Sequence, residues 1–150
     1  MRTVVQRVKH ASVIIQGAEQ RRIGPGLLVL LGIEQGDTVD DINWLCGKIA
    51  RLRIFADTED KMNLSVMDTG GELMVISQFT LHASTRKGNR PSWIRAADPE
   101  QAKPLYADFI DVLEQITGKQ IVTGEFAAHM DIELINDGPV TIIIDTKLKE

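Results

Sequence analysis

Cysteine is nearly absent from this chain: Cys46 is the only one in 150 residues. No internal disulfide can form, and one thiol cannot complete a cysteine-based zinc set. The three histidines, His10, His82 and His129, stand far apart and have no metal-ligand spacing. The glycine-rich fingerprints that cradle phosphates are missing. So is any apolar run long enough to cross a bilayer as a helix, and the opening MRTVVQRVKH alternates like a strand and lacks a signal-peptide core. These absences predict a cytoplasmic protein that needs no membrane, metal or cofactor. Positive charge is also in deficit. Seventeen Lys and Arg against 21 Asp and Glu leave a net charge of −4, which argues against a broad nucleic-acid-binding face but permits a local basic patch.

What is present is ordinary globular material. A length of 150 residues fits one domain, 1–150, and 43% hydrophobic residues suffice for a real core. Thr3–Val8 and Ser12–Gln16 alternate with period two and read as a first pair of strands. Gly24-Pro25-Gly26 is a turn. Leu27–Ile33 is a continuous apolar run of strand length, which predicts a strand buried on both faces. Val39, Ile42, Leu45, Cys46, Ile49 and Leu52 then recur at helical spacing, so 38–52 reads as an amphipathic helix capped by Thr38. Cys46 falls on its apolar face, as a small buried hydrophobe.

Arg53–Phe55 reads as a short strand, 57–63 as a loop, Gly70-Gly71 as a turn and Glu72–Gln78 as a strong strand. His82–Ala97 is polar, basic and without periodicity. Asp98-Pro99-Glu100-Gln101 starts a second helix: a capping Asp, Pro at the first helical position, Gln three residues after the cap. Its apolar face is Ala102, Leu105, Phe109, Val112, Leu113 and Ile116, and Gly118 ends it. Gln120–Thr123, Met130–Ile135 and Val140–Asp145 complete the strands, with Asn136-Asp137-Gly138 as a hairpin turn between the last two. The expected fold class is α/β: a single mixed domain with a sheet-based core flanked by two main helices.

Three features stand out chemically. Ser77-Gln78-Phe79-Thr80-Leu81 ends an apolar strand and brings a hydroxyl, an amide and an aromatic ring to its mouth, where backbone N–H groups freed from the ladder can stabilise an oxyanion. A strand end with a capping threonine and a core phenylalanine is the plainer alternative. Arg86-Lys87-Gly88-Asn89-Arg90-Pro91-Ser92-Trp93-Ile94-Arg95 concentrates basic residues around a tryptophan, a composition suited to phosphates and an unpaired base; a solvated loop with Trp93 packed down is equally compatible. Pro139 cannot donate to a strand ladder, and it makes Gly138–Pro139 the place where a cis bond is cheap. Of the histidines, His82, just after the Ser77–Leu81 segment, is best placed for function. No activated nucleophile–base pair is visible.

These residues together resemble the D-aminoacyl-tRNA deacylase family over essentially the whole chain. The resemblance is carried by Gln6-Arg7-Val8, Ala11-Ser12-Val13, Gly26–Gly32, Lys61-Met62-Asn63-Leu64, Ser77–Leu81, Lys87–Trp93, Gly124–Ala128 and Asn136–Thr141, with two signature motifs in the right order. It implies hydrolysis of the carboxylic ester between a D-amino acid and the terminal adenosine of tRNA, with rejection of the L-ester. It adds glycine mischarged on tRNA-Ala as a second candidate substrate. It implies a homodimer in which a cis Gly138–Pro139 of one subunit enters the site of the other, excluding an L side chain by clash.

Ser77, Gln78, Phe79 and Thr80 then line the ester site, with catalysis by backbone groups and the tRNA 2′-hydroxyl. Arg7, Asn136 and Thr141 support the filter. Lys87, Arg90 and Trp93 contact the tRNA, and no DNA partner is expected. Two other readings are a non-catalytic nucleic-acid-binding module and the achiral branch that removes L-alanine; Ser-Gln-Phe-Thr together with Asn136 favours the D-specific branch. The family usually carries an aspartate where this chain has His129.

Overall fold

A computed structural model describes residues 1–149. Eight strands and three helices follow one another as β1 (Arg2–Ile15), β2 (Glu19–Ile23), β3 (Gly26–Gly32), α1 (Val39–Arg51), β4 (Phe55–Ala56), β5 (Met62–Leu64), α2 (Val66–Thr69), β6 (Glu72–Ser77), α3 (Pro99–Thr117), β7 (Val122–Thr123) and β8 (Met130–Asp145), with a 3-10 turn at Phe79–His82. The mixed α/β class holds, with α1 and α3 as the two main helices and α2 a single additional turn.

The sheet is organised around β1. On one edge β1 pairs with β3 through Arg2–Val8 and then with β2 through Ala11–Ile15. On its other edge it runs antiparallel to β8 for almost its full length. From β3 the sheet continues in parallel to β6 and then β7. Arg21 of β2 donates to the carbonyl oxygens of Thr123 (2.7 Å) and Gly124 (3.2 Å), tying β2 to the end of β7 so that the sheet curls towards a barrel.

The continuous apolar run is explained by this arrangement. Leu27, Val29 and Leu31 of β3 face α1 and α3 with Leu73 and Val75 of β6. Leu28 faces the inside of the curl with Met74 and Ile76. Each buried face contributes its own hydrophobic stabilisation, so neither strand can alternate with polar residues.

Two expected breaks are not breaks. Thr3–Val8 and Ser12–Gln16 are one strand, and so are Met130–Ile135 and Val140–Asp145. In β1 the inward phase slips: Val5 packs in the helix-side core, and Val8, Ala11, Val13 and Ile15 in the core inside the curl. Register shifts at Gln6/Val8 and Val8/His10 absorb the slip without a turn. The second partner of β1 is β2, whose charged EQRR sequence hides its strand character.

Smaller differences are local. Residues 57–63 do not form a plain loop to the end, since Met62–Leu64 pairs with Phe55–Ala56. Asp98 occupies the N-cap of α3, but its carboxylate makes no cap hydrogen bond; its backbone oxygen accepts from Ala102 N–H (2.8 Å) instead. Tyr106 joins the buried face of α3 and donates its hydroxyl to the Val75 carbonyl oxygen (2.8 Å).

Candidate active site

The parallel strands β3 and β6 end side by side, with Leu31 opposite Ser77. Gln78 N–H donates to Leu31 O (2.7 Å), the last rung of the ladder. The chain then turns sharply into the 3-10 turn. Leu81 N–H donates to Gln78 O (3.2 Å) and Ala83 N–H to Thr80 O (3.0 Å). Phe79 and Thr80 head that turn, so their N–H groups have no acceptor within it. The Gln78 side-chain amide donates to the Thr80 hydroxyl.

Beside this strand end lies a cavity of about 590 Å³. Leu31, Ile33, Ile76 and Ala102 line its sheet and helix side, and Phe126, Met130 and Ile132 line another. Ser77, Gln78, Phe79 and Trp93 border it as well. Phe79 and Trp93 are both exposed, and their rings meet edge to face at 5.3 Å. The size and largely apolar lining suit a small organic group held by a few polar contacts.

The basic segment is less irregular than its sequence. Ser84 and Ser92 bond reciprocally at 2.9 Å each, closing a loop whose exposed tip carries Lys87 and Arg90 and whose return brings Trp93 to the cavity. Gln35 N–H to Arg95 O (3.0 Å) and Ala97 N–H to Ile33 O (3.0 Å) anchor the return to the end of β3.

The second motif is not a hairpin tip. Val8 pairs with Asn136 and Gln6 with Thr141, so Arg7 alone on β1 stands opposite Asp137, Gly138, Pro139 and Val140. Those four residues bulge out of an otherwise continuous strand. The Gly138–Pro139 peptide bond is cis, Gly138 has φ +138°, and both residues are exposed. The bulge is held from behind. Asn136 Nδ2 donates to Arg7 O (3.0 Å) and Val140 O (2.9 Å). Arg7 Nε donates to Asp137 O (3.0 Å), with Asp137 Oδ2 at 3.3 Å, and Nη1 to Ile54 O (2.5 Å). Gln6 Nε2 donates to Thr141 Oγ1 (3.2 Å).

Within one chain the two motifs stay apart: Gly138 and Pro139 do not line the cavity. Thr80 borders the strand end but is also outside the lining set. Several lining residues were not candidates from sequence, among them Phe126, Ala127 and Ala128. The signal in the sequence was the Gly124–Ala128 block that carries the resemblance; in the structure a Cβ on Gly124 would come within 2.3 Å of Met130 Sδ and 3.1 Å of Ile76 Cδ1. His129 stands on the cavity rim, exposed, with Nε2 3.4 Å from Asp131 Oδ1.

Cys46 is buried, and burial pushes its thiol up to about 12, so it is inert at neutral pH. Among the described residues no group of three or more His, Cys, Asp or Glu could hold a metal ion, and no helix is long and apolar enough to cross a membrane.

Residues 4–145 match the family model described as D-Tyr-tRNA(Tyr) deacylase. A D-aminoacyl-tRNA deacylase of Bacteroides thetaiotaomicron is 59% identical over 150 residues, covering all of both chains. The one from Akkermansia muciniphila is 55% identical with the same coverage. A solved structure described as "c-Myc DNA Unwinding Element Binding Protein" superposes with a TM-score of 0.90 at 42% identity, covering 97% of this chain and 98% of that one. A second, a probable eukaryotic D-amino acid tRNA deacylase, shares the fold with a TM-score of 0.82 at 14% identity, covering 95% and 97%. With the family model spanning 4–145 and relatives above 50% identity end to end, the chain belongs to the D-aminoacyl-tRNA deacylase family.

Proposed function

We propose that the protein hydrolyses the ester between a D-amino acid and the terminal adenosine of tRNA, and that its active site is completed by a second copy of the chain. The protein is a hydrolase by family. The observation that carries the finer reading is the bulge at Asp137–Val140. Its Gly138–Pro139 tip is exposed and its base is stapled by Arg7, Asn136 and Gln6, yet neither tip residue lines the cavity of its own chain. A rigid backbone wedge of this kind has a use if it enters the cavity of a partner. Among the described residues the strand β8 that bears it pairs only with β1, which leaves its second edge free, and Ile135 and Ile143 are exposed along it. A two-fold pair of such edges would deliver both wedges at once.

In this reading the aminoacyl group occupies the cavity beside Ser77 and Gln78, the terminal adenine meets Phe79 and Trp93, and Lys87 and Arg90 meet phosphates. The N–H groups of Phe79 and Thr80 stabilise the developing oxyanion. No side-chain nucleophile is required, because an aminoacyl ester is already reactive; positioning and the ribose 2′-hydroxyl complete the chemistry. The wedge leaves room for hydrogen but not for an L side chain on that face of the α-carbon. Glycine, which has no side chain on either face, passes it and is a candidate second substrate on tRNA-Ala. Aminoacyl-tRNA as substrate supports a cytoplasmic location.

The test is deacylation of matched D- and L-tyrosyl-tRNA with the oligomeric state measured in parallel. D-selective release by a dimer is expected. Release of neither ester would sink the enzymatic reading, and equal release of both would sink the wedge. A nucleic-acid-binding role without catalysis is the second reading, favoured by the DNA-binding description of the 42% identical structure. The net charge of −4 opposes it, and tight duplex-DNA binding without ester release would establish it.

A further inference from the structure

His82 is fully buried, and neither ring nitrogen has a hydrogen-bond partner. Orphaned buried polar atoms are rare and costly, so a retained one calls for a role. It closes the 3-10 turn headed by Phe79 and Thr80. Its ring edge lies against Gly32, where a Cβ would come within 3.0 Å of Cδ2 and 3.1 Å of Nε2. From the other side Arg2 holds the turn, donating Nη1 to Leu81 O (2.9 Å) while pairing with Asp145 (2.8 Å).

The nearest charge to the ring is Glu34. Its Oε1 is 3.9 Å from His82 Nδ1, just beyond hydrogen-bond range, and 3.2 Å from Arg95 Nε. Arg95 ends the basic loop, and half of its side chain is exposed. Its backbone is pinned by Gln35, and its guanidinium, paired on one side with Glu34, is open to a polyanion on the other.

We propose that His82 is a positioning residue and that Glu34 is shared between it and Arg95. When an RNA phosphate draws the Arg95 guanidinium away, Glu34 Oε1 turns to Nδ1–H of His82, and this bond seats the Phe79–His82 turn for the ester. The neutral imidazole suffices: Nδ1–H donates, the carboxylate accepts, and no proton is transferred. Binding by the basic loop is thereby coupled to the geometry of the turn. The inference rests on the ester-site reading of Ser77–Thr80.

The test compares wild type with His82→Asn, which places an amide N–H near the position of Nδ1, and His82→Leu, which fills the space without a donor. His82→Leu should melt no lower than wild type, because it removes two orphaned nitrogens. Its kcat on D-tyrosyl-tRNA should fall roughly tenfold or more with KM changed less than about twofold, since small misplacement of reacting groups is costly. His82→Asn should recover most of kcat. Uncharged tRNA should shift the Nδ1 resonance of 15N-labelled His82 in wild type, but not in Glu34→Ala, which has no acceptor for Nδ1–H. Wild-type kcat in His82→Leu, no recovery in His82→Asn, or a His82 resonance indifferent to tRNA would each overturn the coupling. A wild type that releases neither ester would instead remove the ester-site reading, and this inference with it.

Discussion

Around Ser77–Thr80 the walls are apolar and aromatic and the polar groups few; around Asn136–Thr141 the polar groups are bound to one another. The cavity borders on Phe79 and Trp93, which touch each other and are otherwise exposed. The bulge is fixed by Arg7, Asn136 and Gln6 from three directions. A cavity of this kind binds by area and stacking and has little with which to tell mirror images apart, because enantiomers share volume and hydrophobicity. A stapled backbone discriminates by clash but offers no hollow for a substrate. On the proposed reading, this division of labour is why neither region would be a site by itself.

The sharpest way to break the comparison is at Gly138. A Cβ there would lie 2.7 Å from Val140 Cγ2, 2.9 Å from Val140 N and 3.1 Å from Arg7 Nη2, at a φ of +138° that side chains rarely adopt. Gly138→Val should cut D-selective turnover about a hundredfold by misplacing the wedge, measured as deacylation of D- and L-tyrosyl-tRNA side by side. Full D-selective turnover in this variant would show that the bulge is not part of the site.

The next effect is at Arg7, which holds the bulge without being exposed at its tip. Arg7→Ala leaves Ile54 O and the Asp137 carbonyl without their donor and should cost about 2 kcal/mol of stability, within the range for hydrogen bonds to charged groups. The ratio of D- to L-ester hydrolysis should fall with it. Arg7→Lys should not restore that ratio, because one ammonium cannot reproduce the planar fork. An unaltered ratio in a destabilised variant would make Arg7 purely structural.

The two regions were also unequally legible. The cavity strand could be read from β3 and β6, because burial on both faces leaves a continuous apolar run. The 3-10 turn and the loop closure at Ser84–Ser92 could not, since single backbone rungs leave no periodic trace. The bulge was misread for a related reason. Asn-Asp-Gly has the chemistry of a hairpin, and nothing local shows that residues 130–135 and 140–145 share one partner. That is a property of β1, whose fourteen residues run past both. Trp93 beside an unpaired base could be read from composition, and the roles proposed for Gly138–Pro139 and for Arg7, Asn136 and Thr141 as its supports came from resemblance; the Arg7 bond to Ile54 and the Gln6–Thr141 bond became visible only in three dimensions.

On the cavity side, Trp93→Ala should weaken binding and leave the chemistry alone. Stacking on a base is worth about 1–3 kcal/mol, so KM should rise roughly tenfold with kcat unchanged in steady-state kinetics. Loss of kcat with KM intact would move Trp93 from holding the nucleic acid to shaping the turn through Phe79.

The smallest effect should come from the residue that looks most catalytic. The Thr80 hydroxyl accepts a hydrogen bond from the Gln78 amide, and no base is positioned to activate it as a nucleophile. Its nearest histidine in sequence, His82, is buried within the same turn with its nitrogens unpaired. If the oxyanion is met by backbone N–H groups, Thr80→Ala keeps them all and loses only a methyl, a hydroxyl and one local bond. Single-turnover kcat should then stay within about threefold of wild type, far from the hundred- to thousandfold loss of an oxyanion donor. A collapse in turnover with tRNA affinity and melting temperature preserved would make the hydroxyl essential. It would also place side-chain chemistry on the cavity side, where the comparison assigns only shape.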